Sequence, residues 1–146
     1  MVNFPVHNPY KAVTAYLYPQ GLKAEAPDSI QRDKEGVKNL RQDYAGSEPC
    51  TSYDRNCTRS YMLAYYPYNI ETVYYILQEI PEQIPKPKDG KTLKIAFLGG
   101  GPVPELLGLS YALSAYRPEV KCLETVVFDK NNAEWSQYRE KCTLPL

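Results

Sequence analysis

Three groups of residues in the C-terminal third of the chain are of types that handle a small ligand. They are the run Gly99-Gly100-Gly101-Pro102-Val103-Pro104, the acid Glu105 directly after it, and the pair Asp129-Lys130 further on. Glycines in a turn that follows a strand let the backbone approach a ligand closely, because a Cβ there would collide with it. The neighbours decide which ligand. A dinucleotide fingerprint needs its third glycine where Pro104 stands, and a phosphate-binding loop needs Gly-Lys-Ser/Thr where Pro104-Glu105-Leu106 stands. Pro102 and Pro104 also lack the N–H groups that cradle a phosphate. Glu105, in the first turn of the helix that should follow, suits the helix dipole and repels an anion. The combination favours a ligand with a cationic centre. Asp129 is placed to accept hydrogen bonds from both hydroxyls of a ribose.

These residues need elements to hold them. Leu93 to Leu98 has strand length and an apolar character, Pro104 to Tyr116 reads as a helix, Cys122 to Phe128 as a second strand, and Ala133 to Lys141 as a last helix. Strand, glycine turn, helix and strand with a terminal acid make the βαβ unit of a nucleotide-binding α/β sheet. Trp135 either packs beside an adenine or, the preferred reading, is a helix residue covering the sheet.

Ile95 to Gly108, with Gly99-Gly100-Gly101-Pro102 at its centre, resembles the first motif of class I S-adenosylmethionine-dependent methyltransferases, and Phe128-Asp129-Lys130-Asn131 is similar to their second, acidic motif. The resemblance covers residues 93–135. It implies S-adenosyl-L-methionine as cofactor and a binding set of Gly99, Gly100, Gly101, Pro102, Glu105, Asp129 and Lys130. Gly99, Gly101 and the turn around Pro102 would line the methionine moiety, and Asp129 would hold the ribose. The sequence departs from the family pattern at Phe97, where an acid is usual, and at Val103, where the last motif glycine should stand and a side chain is expected to crowd the pocket. The spacing from Gly101 to Asp129 is also generous. The preceding segment, with Tyr65-Tyr66-Pro67-Tyr68, loosely resembles the helical preamble of some methyltransferases, among them the mitochondrial ribosomal small-subunit-associated type.

Upstream, Pro5, Pro9, Pro19, Gly21 and Pro27 break any long element before residue 28. Ala12 to Tyr18 reads as a helix turn or a strand. A helix from Asp28, capped by Asp28 or Ser29 and ended by Gly46, carries only Ile30, Val37, Leu40 and Tyr44 as an apolar stripe and belongs on the surface. Residues 47–57 read as loop. A helix follows from Thr58 to Tyr66, then another capped by Asn69, with Ile70, Val73, Leu77, Ile80 and Ile84 inward and Glu71, Gln78, Glu79 and Glu82 outward. Residues 85–92 form a linker, and its lysines read as a solvated connection rather than a phosphate contact. The expected organisation is therefore α/β: an incomplete Rossmann-like parallel sheet of β-α-β-α order over 89–146, preceded by a mainly helical and irregular region over 1–88.

Composition narrows the classes further. Seventeen basic against seventeen acidic residues give zero net charge, so no global field draws the chain to nucleic acid or an anionic membrane. With 43% hydrophobic residues, no window approaches the run of about eighteen needed for a membrane span. Without a basic, apolar leader at Met1 the expectation is a cytoplasmic protein. Four cysteines (50, 57, 122 and 142) lack metal spacing; a Cys50–Cys57 disulfide is conceivable, and reduced thiols are preferred. The fourteen tyrosines, dense between Tyr53 and Tyr75, are read as ring faces packed in helices, with stacking on bases as the less favoured alternative. No further strand-end motif of the Asp/Asn-Pro-Pro-aromatic kind is present to position a methyl acceptor. The expectation is a methyltransferase-like chain that is a truncated product, a domain excerpt or one half of an assembly whose partner chain completes the sheet, inactive or weakly cofactor-binding on its own; the acceptor (RNA, protein or small molecule) stays open. The alternative is a non-enzymatic interaction protein on a degenerate methyltransferase fold.

Overall fold

Asn8 starts the first element. Its Oδ1 accepts from the backbone N–H groups of Tyr10 and Lys11 at 2.9 and 3.2 Å, and Pro9 takes the first helical position, where a missing N–H costs nothing. The segment around Ala12 to Tyr18 is therefore helix α1, Pro9–Leu17. In this computed structural model residues 8–46 and 55–142 are described. They form a mixed α and β, mostly helical fold with a two-stranded parallel sheet.

Helix α2 runs Pro27–Ala45. Neither Asp28 nor Ser29 caps it: the cap position is Ala26, which offers no side-chain bond, and Pro27 sets the first turn instead. Gly46 ends it as expected, donating to the Gln42 and Asp43 carbonyls. Of its stripe only Leu40 is buried, so the helix does lie on the surface.

The next two helices break earlier than expected. Helix α3 is Arg55–Ala64 and α4 is Tyr66–Glu79. Pro67 does not end a helix; it occupies the first turn of α4, where proline is tolerated. Asn69 is consequently inside the helix rather than its cap, and its Nδ2 donates to the Tyr61 hydroxyl at 3.0 Å. Of the residues expected to face outward, Glu79 and Glu82 are exposed, but Glu71 and Gln78 are half-buried.

A charged tie joins the first three helices. Asp33 of α2 accepts from Arg59 Nε and Nη2 of α3 at 2.7 and 2.9 Å and from the Tyr18 hydroxyl, at the end of α1, at 2.6 Å. The Arg59 guanidinium also lies 5.0 Å from the centre of the Tyr18 ring. Burial alone would raise the Asp33 carboxyl, but the hydrogen bonds from Arg59 and Tyr18 outweigh it and hold the group below its usual range. Burial and the bond to Asp33 push Tyr18 up to about 12.

Strand β1 (Thr92–Leu98), helix α5 (Pro104–Tyr116), strand β2 (Cys122–Phe128) and helix α6 (Asn132–Cys142) follow as the periodicity indicates. The strands pair in parallel from Thr92↔Cys122 to Leu98↔Phe128. Their inner face joins α4 and α5 in one core of Tyr74, Ile84, Leu93, Ala112 and Leu113. A second core, with Met62, Tyr66, Ile70, Leu107, Trp135 and Tyr138, lies among the helices. Among the described residues nothing covers the outer sheet face: Leu98 is 81%, Phe128 58% and Val126 54% exposed. No described helix is long and apolar enough to cross a membrane.

Helix α5 meets α4 at Gly108. A Cβ there would sit 2.6 Å from the Ile70 carbonyl oxygen and 2.9 Å from Val73 Cβ. Gly108→Ala should therefore destabilise by about 1–3 kcal/mol in urea unfolding, although alanine is the better helix former by about 1 kcal/mol; a stabilised variant would refute the close contact. Because the folded Asp33 carboxyl is depressed, its contribution is present above the unfolded value near 4 and is lost as pH falls through the folded value. Asp33→Asn should thus cost about 1–3 kcal/mol at pH 7 and converge on the wild-type stability in strong acid, as followed by circular dichroism melts.

Candidate functional site

The bend between β1 and α5 places three consecutive odd-numbered residues in the left-handed region: Gly99 at φ 64°, Gly101 at 53° and Val103 at 57°. Glycine enters that region without penalty, and a β-branched residue does not. Close packing adds to the demand. A Cβ on Gly100 would meet Phe97 Cβ at 2.9 Å and Val127 Cγ1 at 3.2 Å.

The strand-end acid reaches this bend. Asp129 Oδ2 accepts from the Gly101 N–H at 2.8 Å, and its Oδ1 accepts from the Asn131 N–H at 2.7 Å. The Gly99 N–H donates to the Phe128 carbonyl at 2.7 Å, and the Val103 N–H to the Gly100 carbonyl at 2.8 Å. With two prolines in the run and three of its N–H groups donating within the chain, the bend has little left to cradle an anion. Each carboxylate oxygen of Asp129 retains acceptor capacity beyond the bond it makes.

All seven residues singled out in the sequence come together. Gly99, Gly100, Gly101, Pro102, Glu105, Asp129 and Lys130 line one cleft of about 350 Å³, joined by Tyr44, Tyr61, Asn131 and Trp135. A larger groove of about 490 Å³ runs along α2 and α3 past Arg59, but Asp33 and Arg59 there already satisfy each other. The smaller cleft is the chemically open one. Its Glu105 has one carboxylate oxygen, Oε2, buried with no hydrogen-bond partner among the described residues, and burial pushes this carboxyl above its usual range. Burial, then the nearby charge of Glu105, raises the Tyr61 hydroxyl as well.

Two expectations change. Trp135 does not cover the sheet; it is 2% exposed within the helical core, 5.3 Å from the Tyr61 ring centre, with its indole 3.6 Å from the position of a Gly101 Cβ. Val103 does not crowd the cleft. It is 2% exposed and faces the interior, so its cost falls on the backbone. Tyr44 and Tyr61 were missed as site residues because nothing local says that α2 and α3 fold against residue 101. Cys50 lies outside the described residues, and among these no group of His, Cys, Asp and Glu is arranged to hold a metal. Comparison with family models, curated proteins and solved structures finds no match to this chain.

The strained valine gives a direct check. Val103→Gly loses a buried side chain worth about 1.5–2 kcal/mol but relieves about 1 kcal/mol of left-handed strain, whereas Val103→Ala loses burial and keeps the strain. The glycine variant should melt above the alanine variant; the reverse order would show that the backbone there is unstrained.

Proposed function

We propose that this cleft binds S-adenosyl-L-methionine and that the chain is a methyltransferase-like protein built on the first part of a Rossmann-like sheet. The observation that carries the reading is the 2.8 Å bond from the Gly101 N–H to the Asp129 carboxylate, which unites the two motifs that suggested it. The residues present fit the cofactor. The glycine bend admits a ligand at close range, Asp129 has acceptor capacity for ribose hydroxyls, and Glu105 offers a buried, unpartnered oxygen to a cation.

When bound, the cofactor supplies an electrophilic methyl group on a sulfonium. The chain's own part is to position it: Asp129 holds the sugar, the turn at Gly99, Gly101 and Pro102 lies along the methionine end, and Lys130 stands exposed beside Asp129. No residue is assigned to the methyl acceptor. The proposed activity is cofactor binding.

The second reading, a non-enzymatic interaction protein, draws support from the exposed sheet face of Leu98, Val126 and Phe128. Titration calorimetry with S-adenosylhomocysteine separates the two. Heat with a dissociation constant of millimolar or tighter, weakened about tenfold or more by Asp129→Ala in a variant that keeps its helical circular dichroism, is the expected result. Absence of heat in a folded sample would favour the interaction reading.

A further inference from the structure

Part of the cleft lining has a chemistry that ribose and glycine contacts do not use. Glu105, one of whose carboxylate oxygens is buried with no hydrogen-bond partner among the described residues, lines the same cavity as Tyr44, Tyr61 and Trp135. Tyr61 and Trp135 stand 5.3 Å apart between ring centres, and Tyr44 is braced edge-on by Tyr65 at 5.1 Å, so the rings are held by their neighbours rather than left to swing. Aromatic rings with a carboxylate favour soft, weakly hydrated organic cations, whose alkyl surface suits the rings and whose charge suits the acid. A hard metal ion would instead need several oxygen ligands, which this part of the lining lacks. A neutral occupant would leave the acid unanswered. Among the described lining residues Lys130 is the one basic side chain, and it is solvent-exposed.

We propose that Glu105, Tyr44, Tyr61 and Trp135 form an onium subsite that makes the cleft prefer a sulfonium ligand over the corresponding neutral thioether. This rests on the reading of the cleft as a cofactor site and adds a direction to it. In methyl transfer the lone pair of an acceptor forms a bond to the methyl carbon, the carbon–sulfur bond breaks, and its electron pair stays on sulfur, which becomes neutral. A subsite tuned to the charge holds the donor and lets the spent product go.

The test is a pair of titrations, S-adenosylmethionine and S-adenosylhomocysteine, into the wild-type chain and Glu105→Gln. The charged ligand should bind about tenfold or more tightly in the wild type, and the glutamine variant should lose most of that ratio. Equal binding of the two ligands by the wild type, or a ratio that survives Glu105→Gln, overturns the subsite and leaves the cofactor reading standing. Trimethylsulfonium chloride, followed by Trp135 fluorescence, serves as the small probe. If it binds where neither adenosyl ligand does, the subsite stands and the cofactor reading falls; if none of the three binds a folded sample, both fall.

Discussion

One carboxylate organises the C-terminal part of this molecule. The Asp129 carboxylate, at the end of β2, takes the N–H of Gly101 with one oxygen and that of Asn131 with the other. It thereby fixes the bend after β1, the end of β2 and the approach to α6 at a single point. A carboxylate accepting two backbone N–H groups is a strong, directional anchor, and it removes from the bend a donor that a phosphate would otherwise use. The proposed preference for a cation over an anion thus rests on how the loop is tied, as well as on which side chains line it.

The same tie explains why Val103 is tolerated. A β-branched residue at φ 57° is costly in isolation. Here its N–H is bonded to the Gly100 carbonyl, its side chain is buried, and α5 begins at the next residue with a proline that suits a first turn. Strain survives where the surroundings over-determine the conformation, and a bend pinned at Gly99, Gly101 and Val103 is such a place.

Local sequence was legible where local physics decides. The strand, bend, helix and strand from Leu93 to Phe128 follow from apolar runs, glycine and proline, and the parallel pairing follows from the length of the crossover. The bend and acid residues could be named because backbone freedom, missing N–H groups and a strand-end carboxylate each leave a mark on the chain itself. Sequence places the helix break at Pro67 rather than between Ala64 and Tyr66, because proline can end a helix and serves equally well in a first turn. Tyr44, Tyr61 and the inward turn of Trp135 were not legible, since their place depends on how α2, α3 and α6 pack around the bend. Tyrosine-rich helices do pack their rings, as the contacts of Tyr16 with Tyr138 and of Tyr44 with Tyr65 illustrate.

Both edges of the sheet, rather than its faces, are where strand amides lack a partner strand. Among the described residues β1 and β2 have only each other as neighbours, so the amides that point away from the shared ladder are bonded to no other strand. Hydrogen exchange in such a ribbon alternates along each strand, slow at the ladder positions and fast at those between. The rigidity that presents the bend must then come from the helical side, where α5 lies on α4 at the Gly108 contact. The sheet serves as a hinge plate bolted on one face, and the helices beneath it set how still the plate is held.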